Sequence, residues 1–335
     1  MRTASILSGF CLFAGVYGQL RQVFQAGNGQ PLENLAVRKN GQVLFNGIGT
    51  NATFTLSFEG GREVISQLPS LPDITGLFGI AEINDDIFIV AGGNEDAMGN
   101  TEPGSLVTYA YDFNKDPVAI SKVANVPEAL LLNGAAAIPP RRRGENSTVL
   151  FSDSISGQIF HIDPTTGTYA SIFRAEANST NPPPAFVRPG VNGYEYVPRL
   201  QKLFFANSGP ILGVNSTPDF GSVKLNIRYN RTPLPTITTA GPADIFAPGL
   251  PVDDFAVTSR GTVFACVNAR NTLARIDRDG RQTNLVVNAT NFNSPSSTAF
   301  GRRREDRNTL YITALGDFVT GGRLFAFTLP AREED

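Results

Sequence analysis

The sequence predicts an all-β chain folded as a six-bladed β-propeller. Three observations predict it: a turn-and-strand unit, its repetition six times, and the spacing of the copies. The clearest copy is NGAAAIPPRRRGENSTVLFSDSISGQIFHID, residues 133–163. Its Asn-Gly pair reads as a turn, followed by a small apolar run, a polar turn, the strand TVLFSDS, a second turn at Ser156-Gly157 and the strand QIFHID. That is a three-stranded antiparallel meander, which cannot cover both faces of its own sheet and so needs neighbours of the same kind. Aligned copies are ENLAV from Glu33, FGIAE from Phe78, NGAAA from Asn133, NGYEY from Asn192, DDFAV from Asp253 and SSTAF from Ser296, at offsets of 45, 55, 59, 61 and 43. After most of them come a polar turn and a β-rich strand: GQVLFNGI, DDIFIVAGG, STVLFSDS, QKLFFANSG, GTVFACVN and NTLYITALG. Repeats of roughly 40 to 60 residues holding several short strands are propeller blades rather than halves of a sandwich.

Taken from the start, Met1-Arg2 precede an apolar run over residues 6–16, and Val16-Tyr17-Gly18 supply small or neutral residues for cleavage. The run is shorter than the ~20 residues that span a bilayer. Residues 1–18 therefore read as a secretory signal peptide, and residues 19–335 as a single propeller domain. Residues 20–25 alternate apolar and polar, and are expected to add an outer strand to the blade completed by residues 322–329. Closing the ring in this way removes exposed sheet edges. The Pro- and Gly-rich stretches 178–190 and 238–249 are inter-blade loops, because the repeat continues in register on both sides.

Six Asn-x-Ser/Thr sequons, at Asn51, Asn146, Asn178, Asn215, Asn230 and Asn288, agree with the secretory route and are the expected glycosylation sites. Cys11 lies in the signal segment, so Cys266 has no internal disulfide partner. A chain of this size buries enough core to do without bridges, and Cys266 in GTVFACVN alternates like a small buried hydrophobe. A formal net charge of −2 with 17% charged residues leaves no basic stripe for nucleic acid. The arginine triplets 141–143 and 302–304 fall at equivalent places in repeats three and six and read as solvated turns. His161, in the alternation of IFHID, is a strand residue, and no Ser-His-Asp set presents itself.

Propeller geometry brings the six aligned positions together. If each precedes an innermost strand, Glu33, Phe78, Asn133, Asn192, Asp253 and Ser296 form a ring at one mouth of the channel. Asn94, Glu95, Asp153, Asn207, Ser208, Asn268 and Asp317 lie around it, on loops after the second strands. Two carboxylates and two amides without thiol or imidazole suit a hard cation such as Ca²⁺ or Mg²⁺. The alternative is that these side chains cap turns and hydrogen-bond across the channel, because Asn-Gly is also a favoured turn dipeptide.

The ordered set Glu33, Asn133, Asn192 and Asp253, in ENLAV, NGAAA, NGYEY and DDFAV, resembles the SMP-30/gluconolactonase/LRE-like six-bladed propellers over nearly the whole mature chain. That resemblance implies one divalent cation held by Glu33, Asn192 and Asp253, with Asn133 a ligand or substrate contact and Asp253 also a general base. It also implies a metal-dependent lactonase or esterase that polarises an ester carbonyl and activates water. Two departures stand out: the family's Glu-Gly-Pro is Glu33-Asn34-Leu35 here, and its Asp-Gly is Asp253-Asp254.

The signal segment, the sequons, the opening ENLAVRKNGQVLFNGIGTNATF and the ending RLFAFTL are similar to a fungal branch of these propellers, including the hetero-Diels-Alderases of tropolone-sesquiterpenoid biosynthesis. This implies a pericyclase of secondary (meroterpenoid) metabolism that joins a tropolone o-quinone methide to a humulene-type alkene, with no cofactor required for the cycloaddition. Asn133 and Asn192 are then the candidate hydrogen-bond donors to the tropolone oxygens. Phe78 and Tyr194 are candidates to stack on the diene or line a terpene pocket. The expected partners are these small molecules, without nucleic acid and without a membrane once the signal is removed, and the expected location is the secretory pathway or outside the cell. A non-catalytic secreted binding module is the third reading.

Overall fold

Strand β1 (Gln19–Gln25) does not open the first blade. It pairs antiparallel with the last strand of the chain, β25 (Arg323–Thr328), and so closes the ring as the alternation in residues 20–25 predicts. The computed structural model describes residues 18–27, 29–96, 99–173, 186–210 and 215–329. Residues 1–17 of the expected signal segment and Asn178 lie outside the described residues.

Each blade is an antiparallel sheet built in chain order from the channel outward. Blade one holds β2 (Leu32–Val37), β3 (Val43–Gly47), β4 (Phe54–Glu59) and β5 (Arg62–Gln67). Blade two holds β6 (Gly76–Asn84), β7 (Ile87–Gly93), β8 (Val107–Asp112) and β9 (Ala119–Asn125). Blade three holds β10 (Leu132–Ile138), β11 (Thr148–Asp153), β12 (Ile159–Ile162) and β13 (Tyr169–Ile172). Blade four holds β14 (Val191–Val197), β15 (Lys202–Asn207), β16 (Asp219–Arg228) and β17 (Thr236–Thr239), with β18 (Asp244–Pro248) added along β16. Blade five holds β19 (Phe255–Val257), β20 (Val263–Val267), β21 (Thr272–Ile276) and β22 (Gln282–Val287). Blade six is β23 (Pro295–Phe300), β24 (Thr309–Ala314), β25 and β1. The second strands are buried on both faces, as VLFSD and VFACV show, because each blade packs on two neighbours.

The core lies between blades. Phe78, Leu131, Val149, Phe151 and Phe160 fill the seam of blades two and three, and Phe264, Cys266, Phe292, Phe325 and Phe327 that of blades five and six. Cys266 is buried and free, as expected. His161 is buried in β12 against the Thr148 hydroxyl at 2.7 Å, and burial lowers it to about 4, which keeps the ring neutral. The two arginine triplets differ. Arg141, Arg142 and Arg143 are solvated. Arg302 instead donates to the Val37 carbonyl at 3.0 Å and pairs with Glu82, and the Arg303 guanidinium lies 4.1 Å over the Phe58 ring. The second triplet clamps blade six onto blades one and two.

Candidate functional site

The six aligned positions share one backbone device. In every blade the innermost strand carries a two-against-one bulge, and the aligned residue is its first member. Glu33-Asn34 face Asn46, Phe78-Gly79 face Ala91, Asn133-Gly134 face Ser152, Asn192-Gly193 face Ala206 and Ser296-Ser297 face Thr313, each at a register shift. In blade five Asp253 N donates to Cys266 O at 2.9 Å while Cys266 N donates to Asp254 O at 3.0 Å, the same arrangement. A bulge re-aims the side chains of a strand, and here the polar first members turn toward one mouth while Phe78 stays in the seam between blades.

This corrects the turn reading of the Asn-Gly pairs. Asn133-Gly134 and Asn192-Gly193 lie inside strands β10 and β14. Their glycines serve close approach: a Cβ on Gly134 would stand 2.0 Å from the Asn192 carbonyl oxygen, and one on Gly193 2.2 Å from Asp254 Oδ1. Neighbouring innermost strands therefore touch; blade two meets blade three by close approach, a Cβ on Gly79 standing 2.0 Å from the Asn133 carbonyl oxygen, and the other five blades each hydrogen-bond to the next one's bulge. Asn46 Nδ2 donates to Phe78 O at 2.8 Å and Ser152 Oγ to Asn192 O at 2.7 Å. Gly193 N donates to Asp253 O at 3.1 Å and Asp254 N to Ser296 O at 2.9 Å. Thr313 Oγ1 donates to Glu33 O and closes the circle. The staples Asn46, Ser152 and Thr313 were missed from sequence, although they share the fourth place of VLFN, VLFS and LYIT.

The side chains converge in two groups. Asn34 Nδ2 donates to Asn133 Oδ1 at 3.0 Å across the ring from blade one to blade three. Asn192 Nδ2 donates to Asp253 Oδ1, and Asn268 Nδ2 to Asp253 Oδ2 at 2.7 Å. Ser297 Oγ donates to Asp254 Oδ2 at 2.7 Å. Three groups are left over: Asn192 Oδ1 is buried without a partner, and among the described residues nothing donates to the Glu33 carboxyl or accepts from Asn133 Nδ2.

Burial dominates the electrostatics. It raises Glu33 well above the usual carboxylate range, helped by the charges of Asp253, Asp254 and Glu95. It raises Asp253 to about 7 against the hydrogen bonds from Asn268 and Asn192, and Asp254 to about 6 against that from Ser297. Glu195 accepts from Val257 N at 2.9 Å and is raised by burial to about 8. This residue, too, was overlooked. It stands where the other repeats carry Ala36, Ala81, Ala136, Ala256 and Ala299, so the aligned repeats already signal it.

The expected site therefore divides. Glu33, Asn133, Asn192 and Asp253 meet at the mouth, with Asn268 joining them from the outer set. Phe78 and Tyr194 do not. Phe78 is buried in the seam of blades two and three, and Tyr194 in that of blades three and four with its hydroxyl donated to the Phe186 carbonyl. As packed core rings, neither can stack on a ligand in the channel. Asp153 caps a turn by accepting from Leu130, Leu131, Ile155 and Ser156 N–H groups, and Asn207 braces Pro189 and Gly209. Among the described residues no three His, Cys, Asp or Glu side chains are grouped to hold a metal, so a cation here would depend on amide oxygen as well. The unpartnered Asn192 Oδ1 and Glu33 carboxyl, with Asp253 beside them, fit a hard cation in chemistry. A cavity of about 270 Å³ lies at the other end of the blades, lined by Arg141, Asn146, Tyr229 and Asn230 among others, and takes no part in the ring.

Fold and ring define a six-bladed β-propeller with an oxygen-rich mouth. No family model matches the chain. It is 26% identical over 338 residues, covering 90% of this chain and 87% of the other, to a Phoma sp protein named "Putative hetero-Diels-Alderase". In fold it is similar to regucalcin, a calcium-binding protein from Agrobacterium tumefaciens (TM-score 0.58, 17% identity, 91% and 94% of the two chains covered). It is likewise similar to the PQQ-bound aldose sugar dehydrogenase of Streptomyces coelicolor (TM-score 0.60, 14% identity, 94% and 99% covered).

Proposed function

We propose that this chain is a hetero-Diels-Alderase that joins a tropolone o-quinone methide to the alkene of a humulene-type sesquiterpene at the mouth of the propeller. The observation that carries this reading is the 26% identity to the Phoma sp protein along almost the full length of both chains. The ring supplies the chemistry such a reaction uses. Asn133 Nδ2 is an uncommitted donor, and Glu33, whose hold on its proton is strengthened by burial and by its acidic neighbours, is in its protonated form a second donor toward the oxygens of the heterodiene. Charge that develops there in the cycloaddition is stabilised by donors already in place, and holding both partners at one mouth would align them for reaction. The bulges and their buttresses fix these donors on strands rather than loops, which limits reorganisation during reaction.

A divalent-metal-dependent lactonase or esterase is the second reading, favoured by the buried, unpartnered Asn192 Oδ1. In it Glu33, Asn192 and Asp253 would hold a Ca²⁺ or Mg²⁺ ion, with Asn133 beside it. Such an ion polarises a carbonyl and lowers the pKa of water. Asp253 would accept a proton from that water. Turnover followed by mass spectrometry separates the two. Purified glycosylated protein is given a hydroxymethyl tropolone precursor with humulenol, or a lactone panel, each with and without EDTA. One stereoisomeric adduct that survives EDTA is the expected result. Lactone opening lost on chelation, with no adduct, would overturn it.

A further inference from the structure

Three large apolar side chains are exposed among the described residues: Val287 at 51%, Phe318 at 57% and Val319 at 71%. Phe318 and Val319 form the tip of the loop after β24. That loop returns to the mouth that carries the ring: Leu315 N donates to Ser294 O at 2.8 Å and Gly316 N to Asn293 O at 3.2 Å, just before Ser296. On its other side Gly29 N donates to Val319 O at 3.1 Å and Gly322 N to Gln30 O at 2.7 Å, in the segment that leads into Glu33.

The loop is built to hold this tip outward. Phe318 has a φ of +59°, a conformation that is costly for a bulky residue. Phe173 has a similar φ but packs on Phe186 at 5.5 Å; among the described residues no ring covers Phe318. What holds the strained backbone is polar. Asp317 Oδ1 accepts from Val319 N at 3.0 Å, Thr320 N at 2.7 Å and Thr320 Oγ1 at 2.8 Å, while Gln25 Nε2 donates to Thr320 O at 2.8 Å. The loop thus presents an aromatic and a branched aliphatic side chain to water beside a polar ring, where they add nothing to the buried core.

We infer that Phe318 and Val319 form the apolar lip that receives the hydrocarbon partner of the reaction, while the ring holds the oxygenated one. The inference rests on the cycloaddition reading for the identity of that partner, an aliphatic polyene. A bilayer is the less fitting occupant, because the exposed sequon residues Asn215 and Asn288 lie in loops of the same face, where glycans would hold a flat surface away.

Phe318→Gly tests this, since glycine relieves the backbone and keeps the loop. In the variant the melting temperature is equal to or above that of the parent, KM for the polyene rises about tenfold from lost apolar contact, and KM for the tropolone partner is unchanged. Fluorescence titration with N-phenyl-1-naphthylamine is run alongside, with the expected result of weaker binding by the variant and displacement from the parent by the polyene. An unchanged polyene KM in an active variant overturns the lip and leaves the cycloaddition standing. If the parent makes no adduct yet loses the probe on Phe318→Gly, the cycloaddition reading fails and the apolar lip stands. Sedimentation of the parent, but not the variant, with phosphatidylcholine vesicles would overturn the lip in favour of a membrane contact.

Discussion

Replacing Asp253 by Asn tests the account of the ring most directly. Burial raises this carboxyl from an ordinary 3.8 to about 7, with the Asp254 charge adding to it. In the unfolded chain the group ionises near its ordinary value, so between the two values the unfolded state is favoured as pH rises. The stability is thus full below pH ~4 and is lost as pH climbs through ~7. For one group with these values the loss between pH 5 and pH 8 is on the order of 2–3 kcal/mol. An amide at 253 cannot ionise and removes that slope. It also suits its neighbours: if Asn192 turns its amide over, the buried Oδ1 that now has no partner accepts from the new amide nitrogen. The assay is urea unfolding in EDTA at pH 5 and pH 8 for parent and Asp253→Asn. Parent stability is expected to fall with pH and the variant's to fall by roughly 2–3 kcal/mol less. A parent whose stability is flat or rises over that window, or a variant with the parent's slope, would refute the buried-carboxyl account.

Other consequences follow from the same geometry. Gly134→Ala places a Cβ 2.0 Å from the Asn192 carbonyl and is expected to cost about 1–3 kcal/mol of unfolding free energy by overpacking. Ser152→Ala leaves that carbonyl without its donor at 2.7 Å, for a loss of about 1–3 kcal/mol in the same measurement. Burial lowers His161 to about 4, so its contribution is present above pH ~6.5 and is lost as pH falls toward 4; His161→Gln is expected to flatten the acid limb of the stability profile. Peptide mapping after enzymatic deglycosylation is expected to show glycan at Asn215, Asn230 and Asn288, which are exposed. Lower occupancy is expected at Asn51, whose Nδ2 donates to the Leu71 carbonyl at 3.0 Å.

The blades were legible because the repeat declares itself: position by position, Glu33, Asn133, Asn192 and Asp253 align, and they meet in the fold. What alignment could not convey was the bulge. Asn-Gly is the strongest short turn signal, and only contact with the next blade shows that Gly134 and Gly193 are there to admit a neighbouring backbone. The same bulge misdirected Phe78 and Tyr194. Alignment marks Phe78 as a bulge position but does not show which way its ring turns, and Tyr194, the second residue after Asn192, follows its bulge; both rings are packed between blades. Asp254 stands out in the sequence only as a departure from the family's Asp-Gly, whereas in the fold it is part of the ring, with its N–H on Ser296 O and its carboxyl held by Ser297.

The two functional readings ask opposite things of one side chain. As a donor to a heterodiene oxygen, Glu33 must keep its proton; as a ligand to a divalent cation, it must lose it. The surroundings favour the first state, because the charges nearest to Glu33 are Asp253, Asp254 and Glu95 and no described base or cation offsets them. A divalent ion would reverse that balance by supplying two positive charges among these carboxyls. The buried, unpartnered Asn192 Oδ1 is the one feature of the ring that weighs toward the ion. On the two proposed readings, the charge state of the ring rather than the identity of its residues is what would separate cycloaddition from ester hydrolysis: a proton on Glu33 serves the first and an ion in its place the second.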